Sequence, residues 1–175
     1  NYMIKGKVVI VTGAARGLGQ KYIIELAKEG AQVVFADIND CSETEAKVSE
    51  ITNDYLSLNL DVTEFDSCGN LVSSAVEKFG KVDVLVNNAA LYGALKSSRF
   101  EDIDPKQWDR AMNVNVKGLW NCCRAVSPVM RENKNGSIIN IASLAAKYGM
   151  PYAADYATSK AAVIGLTRVM AREMG

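Results

Sequence analysis

Tyr156 and Lys160 stand four residues apart, a spacing that puts a phenol and an ammonium on one face of a helix. A free phenol titrates at about pH 10. A nearby cation favours the phenolate and brings that value toward neutrality, which suits the phenol to general acid–base work. Ser143 lies thirteen residues before Tyr156, just after an apolar run. Its hydroxyl is suited to donate to a substrate oxygen on which negative charge grows as hydride reaches a carbonyl. Taken by themselves, Tyr156 and Lys160 read first as an ordinary surface pair, a preference that Ser143 and the glycine loop upstream reverse, and Asn115, inside a helical stretch, carries no chemistry. The 175 residues contain no histidine. His-ligated metal sites, a Ser-His-Asp triad and a His general base are therefore excluded. Acid–base chemistry is left to tyrosine, lysine, cysteine or a carboxylate.

Upstream, Thr12-Gly13-Ala14-Ala15-Arg16-Gly17-Leu18-Gly19 joins a strand to a helix. Glycines at such a turn let the backbone approach a pyrophosphate, and the helix N-terminus supplies amide donors and positive potential. The spacing is G-x-x-x-G-x-G, and no Gly-Lys-Ser/Thr closes it as in a Walker A loop. The glycines would also suit a tight turn with close helix–strand packing; position in a first βα turn favours the nucleotide. Asp37 ends the second strand, 18 residues after Gly19. An acid there accepts hydrogen bonds from an adenosine ribose diol and repels a 2′-phosphate, which favours NAD over NADP. Capping of the next helix is the alternative role for Asp37. Arg16 pulls the other way, because a cation beside the glycines can meet a 2′-phosphate. Asp61-Val62 follows the third strand, where the acid either bonds an adenine edge or caps a helix. Asn87-Asn88-Ala89-Ala90 follows the fourth, where amides tie strand ends together and alanines leave room for a flat ring.

These residues need a scaffold that brings strand ends together. Apolar β-branched runs at 7–12, 32–37, 55–60, 82–86 and 137–142 read as strands. Helical spacing of apolar residues marks 17–30, 42–51, 67–79, most of 105–131, and 154–174. Alternating apolar strands and helices predict an α/β fold of Rossmann type, a doubly wound parallel sheet in three α/β/α layers. Ligands of such folds bind beyond the carboxyl ends of the strands, where the unusual residues lie.

The 20 basic residues balance the 20 acidic ones, which argues against a phosphate-tracking nucleic-acid binder. No apolar run is long enough to span a membrane, and no signal peptide is visible. Asn1-Tyr2-Met3 reads as two added residues before a natural start at Met3. Cys41, Cys68, Cys122 and Cys123 form no C-x-x-C pair and read as reduced thiols of a cytoplasmic protein. Trp108, Trp120 and the six methionines are assigned to packing.

Taken together, the glycine motif from Thr12 to Gly19, Asp61, Asn87-Asn88-Ala89, Asn115, Ser143 and Tyr156-Ala-Thr-Ser-Lys160 resemble the classical short-chain dehydrogenase/reductase family. Order and spacing match along essentially the whole chain. The glycine motif is moderately specific; joined to Ser143 and Tyr-x-x-x-Lys it is highly specific. The resemblance implies reversible, metal-independent hydride transfer between nicotinamide and a secondary alcohol or ketone. Tyr156 would be the acid–base residue, Lys160 its pKa-lowering partner and a holder of the nicotinamide ribose, and Ser143 the substrate-orienting hydroxyl. Asn115 would hold, through its helix backbone, a water linking Lys160 to solvent. The cofactor would lie against Gly13, Arg16, Gly17, Leu18, Gly19, Asp37, Ile38, Asp61, Val62, Asn88, Ala89, Tyr156 and Lys160, with Asn87 lining its site. Ala90 departs from the glycine common at that place. The family also implies a homodimer or homotetramer pairing the helices around 114–126 and 161–171. There the small Ala161, Ala162 and Gly165 suit either a partner or an intrachain face.

For substrate, Leu91, Tyr92, Leu95, Leu144, Tyr148, Pro151 and Tyr152 suggest an apolar, partly aromatic pocket, or else exposed turn aromatics. NAD-linked alcohol oxidation is the leading expectation. NADPH-linked ketone reduction, as by a 3-oxoacyl carrier-protein reductase, is the second, and a non-catalytic nucleotide-sensing or interaction protein the third. Residues 1–175 read as one NAD(P)-binding unit carrying cofactor and catalytic residues. Five strands fall short of the six of a doubly wound dinucleotide fold, and this family usually adds a seventh. The expectation is roughly the first two-thirds of an enzyme by that strand count, without the following strand, the nicotinamide-contacting segment after it, or the substrate loop.

Overall fold

The computed structural model describes residues 4–175, so the reading of Asn1-Tyr2-Met3 lies outside the described residues. The chain alternates β1 (Val8–Thr12), α1 (Gly17–Lys28), β2 (Gln32–Asp37), α2 (Ser42–Ser49), β3 (Tyr55–Asn59), α3 (Phe65–Phe79) and β4 (Val84–Asn87). A single 3₁₀ turn, Phe100–Asp102, precedes α4 (Pro105–Met112). There follow a π-helical segment (Asn113–Gly118), α5 (Leu119–Glu132), β5 (Ser137–Asn140), the short α6 (Ala145–Tyr148) and α7 (Ala154–Met174).

All strand pairings are parallel, in the order β3-β2-β1-β4-β5. This is the doubly wound arrangement the alternation predicts. Its order reverses between β1 and β4, so the crevice for a ligand opens at the ends of those two strands. Successive β1 side chains point to opposite faces. Val8 and Ile10 pack with Leu71 and Ala75 of α3, Val126 of α5 and Val163 of α7. Val9 and Val11 pack with Ile23 and Ala27 of α1 and Val48 of α2. One strand thus seats both helical layers, and every residue of β1 is buried.

Two expectations change and one gains detail. The stretch 105–131 is helical, as its spacing predicts, and it passes through a π segment that contains Asn115. The outermost strand β5 is only half covered, alternating exposed and intermediate residues, because it is a sheet edge. Trp108 and Trp120 are not core residues; they are 36% and 42% exposed, and the Arg124 guanidinium lies 4.5 Å from the Trp120 ring centre. Aromatic residues in a helical stripe look alike whether the stripe faces the core or open surface.

Candidate active site

The loop after β1 is built by close approach of backbone. Gly13 has φ +69°, and a Cβ there would come within 2.7 Å of Ala89 Cα. A Cβ on Gly19 would collide with the Gly13 carbonyl. The Thr12 hydroxyl accepts from the Asn88 and Ala89 N–H groups at 3.2 and 3.0 Å. The Asn88 amide donates to the Thr12 and Gly13 carbonyls at 3.1 and 3.0 Å. The β1 and β4 ends are thereby clamped together, and the amide-tying role expected of this stretch falls to Asn88. Gly17, at φ +62°, has nothing within 4 Å of where a side chain would sit. It opens α1, whose N-terminus has no capping side chain and no acid in its first turn. Such an end offers unpaired N–H groups to an anion, and open space at Gly17 fits a pyrophosphate.

Asp37 sits beside this loop. One carboxylate oxygen accepts from the Ala15 N–H at 3.0 Å; the other accepts from the Asn39 backbone and side chain at 2.9 and 3.0 Å. Two oxygens offer about four acceptor directions, so the fixed carboxylate retains capacity for a diol. Leu18 and Ile38 present apolar side chains to solvent nearby in sequence, each 62% exposed. Asp61 Oδ1 accepts from the Thr63 N–H and hydroxyl at 2.9 and 2.7 Å. These bonds close the turn before α3, whose N-cap is Glu64, and they leave Oδ2 without a protein hydrogen bond among the described residues. Val62 is buried against Gly118, and its carbonyl accepts from the Asn121 amide at 3.0 Å. Asn87 does not reach the open crevice. It is buried, donating to Asn140 Oδ1 at 2.9 Å and Cys123 Sγ at 3.2 Å.

The catalytic candidates gather at the same edge. Lys160 is 3% exposed and donates to the Ile141 carbonyl, just past β5, at 2.8 Å. Its ammonium lies 5.9 Å from the Tyr156 ring centre. Burial pulls its pKa down to about 8. Ser143 Oγ accepts from the Ala145 N–H at 3.2 Å, which leaves the hydroxyl proton free to be donated. Asn115 Oδ1 accepts from the Leu91 N–H at 2.6 Å, and its amide donates to the Leu91 carbonyl and Ser159 Oγ at 3.1 and 3.0 Å. Ser159 Oγ in turn donates to the Tyr156 carbonyl at 2.7 Å. Asn115 therefore pins the loop after β4 to α7 through its side chain.

A sequence model of short chain dehydrogenases matches residues 7–175. The chain belongs to the short-chain dehydrogenase family. Among family members, the 3-oxoacyl-(acyl-carrier-protein) reductase FabG of Thermotoga maritima is 39% identical over 177 residues, covering 98% of this chain and 69% of that protein. The 2-dehydro-3-deoxy-D-gluconate 5-dehydrogenase of Dickeya dadantii is 36% identical, covering 98% and 67%. The solved structure of an NAD+-bound xylitol dehydrogenase superposes with a TM-score of 0.93 at 36% identity, covering 98% of this chain and 66% of that one. As in any short-chain dehydrogenase, the chain is an oxidoreductase by family, and its relatives act on chemically different substrates.

Two site features escaped the sequence. Ser159, inside the Tyr-x-x-x-Lys stretch, is fully buried and bridges Asn115 to Tyr156; its place one residue before Lys160 was the available signal. Tyr92 packs against Tyr156, ring centres 4.6 Å apart and planes tilted by 48°. Of the residues read as a substrate pocket, Tyr92, Leu95 and Tyr152 line one small cavity with Tyr156 and Met150. Leu144 and Tyr148 do not line it.

Proposed function

We propose that this short-chain dehydrogenase interconverts a secondary alcohol and its ketone by hydride transfer, with NAD favoured over NADP. The carrying observation is Lys160, buried beside Tyr156 with no acidic partner among the described residues, at the sheet edge that also holds the open glycine loop. A bound nicotinamide supplies the two-electron acceptor or donor. Gly13, Gly17 and Gly19 surround its pyrophosphate, Asp37 takes the adenosine ribose, and Ile38, Asp61 and Val62 take the adenine. Arg16, Leu18, Asn88 and Ala89 complete the cradle, and Lys160 and Tyr156 hold the nicotinamide ribose. In oxidation the Tyr156 oxygen takes the substrate hydroxyl proton; in reduction it returns a proton to the carbonyl oxygen. Lys160 stays a cation while pH stays below about 8, with its charge beside the Tyr156 ring. Ser143 donates to the substrate oxygen as its charge grows. Asn115 holds, through its helix backbone, a water that links Lys160 to solvent. Acid–base work by Tyr156 needs no metal ion.

Residues 1–175 act in this reading as one unit carrying cofactor and catalytic groups. The chain pairs with copies of itself through α5 and α7, where Ala161 and Gly165 are exposed among the described residues. Four free cysteines agree with a reducing cytoplasm. Among the described residues no helix is long and apolar enough to cross a membrane.

Ketone reduction with NADPH, as by a 3-oxoacyl carrier-protein reductase, is the second reading. It is favoured by the exposed Arg16 beside the glycines and by the Thermotoga relative. Intact Ser143, Tyr156 and Lys160 argue against a non-catalytic role. The test is Tyr156→Phe assayed on a panel of secondary alcohols and ketones. Turnover is expected to vanish while NADH binding, followed by fluorescence, stays within about twofold. Unchanged turnover overturns the mechanism, and tighter NADPH than NADH binding in the unaltered protein overturns the NAD preference.

A further inference from the structure

The proposed hydride transfer makes no use of the cysteines, yet two of them meet. Cys68 of α3 and Cys122 of α5 are 54 positions apart in sequence, and their sulfurs lie 3.6 Å from one another in the layer where α3 packs on α5. Both side chains are buried, Cys68 fully and Cys122 to within 2%. Cys123, next in sequence, turns to Asn87 instead, and Cys41 belongs to the opposite layer.

We propose that Cys68 and Cys122 form an oxidation-sensitive dithiol that peroxide closes into a disulfide stapling α3 to α5. Formation of an S–S bond requires the sulfurs to close from 3.6 Å to about 2.05 Å. Access comes through α3. Cys68 lies near the N-terminus of α3, whose ends open locally more easily than a sheet core. The next residue, Gly69, has open space where a side chain would be.

Cys68 is the attacking sulfur. It lies near the positive end of the α3 dipole, which favours thiolate. The hydrogen bond with Cys122 lowers its pKa, against burial and the charge of Asp61, while the same bond raises that of Cys122. The Cys68 thiolate displaces hydroxide from hydrogen peroxide and becomes a sulfenic acid, and the hydroxide takes up the thiol proton as water. Cys122 sulfur then attacks the sulfenic sulfur, expelling a second water. Two thiols lose two electrons and two protons, and one peroxide becomes two waters.

The test treats the folded, full chain with hydrogen peroxide, blocks remaining thiols under denaturing conditions, and maps tryptic peptides without reductant. The expected product joins the 48–78 peptide to the 118–124 peptide and reverts on reduction with dithiothreitol. Because the second peptide holds Cys122 and Cys123, variants decide the partner. Cys123→Ala should keep the cross-link, and Cys122→Ala should abolish it while the circular dichroism spectrum stays native. A cross-link that survives in Cys122→Ala overturns the proposal. So does its absence from the unaltered chain under conditions that convert Met150 or Met174 to sulfoxide.

Discussion

Two buried charges sit at opposite edges of one sheet and are treated in opposite ways. Asp83 lies just before β4, at the amino edge, and is 6% exposed. Lys7 and Lys81 reach it at 3.2 and 2.8 Å, and the Val8 N–H donates to it at 2.9 Å. Burial raises its pKa, but Lys81, Val8 and Lys7 outweigh that effect and hold the carboxyl below its ordinary range. Lys160 lies at the carboxyl edge, equally buried, with one carbonyl and no carboxylate for its ammonium. Burial is unopposed there and takes its pKa to about 8. A charge matched on three sides serves the fold. A charge left unmatched costs stability and stays available to act on a neighbour, here the Tyr156 phenol.

The largest effect separating the two is on turnover. Lys160→Met keeps the length of the side chain and removes the charge. Turnover should fall by roughly 10²- to 10⁴-fold, the usual worth of a tuned acid–base group. Stability at about pH 7 should rise by about 1–3 kcal/mol in urea titration, since an unpaired buried cation is gone. A variant that loses stability would show that Lys160 is a structural group like Asp83.

Asp83→Asn is the mirror experiment. Lys7 and Lys81 have 39% and 40% of their side chains exposed, so solvent screens both ion pairs. The main loss is the charge-assisted bond from Val8, about 1–2 kcal/mol. Nucleotide affinity should not change, because the glycine loop lies at the far end of β1. Turnover that fell as in Lys160→Met would erase the distinction between the edges.

How much of this contrast the sequence carries depends on range. β2 and α7 begin and end where the residue pattern places them, because β-branched runs and helical spacing are local signals. The glycine loop, Asp37 and Ser143 are legible because they lie at strand ends, and Tyr156 and Lys160 because of their spacing along one helix. The π segment around Asn115 is not, since its residues have ordinary helical propensities and tertiary contacts with Leu91 and Ser159 accompany the wider turn. The meeting of Cys68 with Cys122 and the absence of a counter-ion for Lys160 depend on which helix packs on which. Spacing along the chain contains no such information.

The pH dependence of stability has a sign that distinguishes the two edges. Lys160 titrates at about 8 in the folded protein against 10.5 when unperturbed. Between those values the unfolded chain binds more protons, so stability rises with pH. The cost is full below about 8 and gone above 10.5. Asp83 has its folded pKa below 3.8, so its contribution is present above that value and is lost as pH falls through the folded one. The alkaline limb of the unaltered protein does not isolate Lys160, because Cys41 and Cys123 are pushed up by burial from 9.0 to about 11. Folding keeps those thiols protonated, and stability falls as pH rises through 9.0. Subtracting the urea stability of the unaltered protein from that of Lys160→Met cancels both thiols. The difference should be largest at about pH 7 and shrink toward zero as pH approaches 10.5. A difference independent of pH would mean that the substitution acts through packing, and that Lys160 is not an unmatched charge.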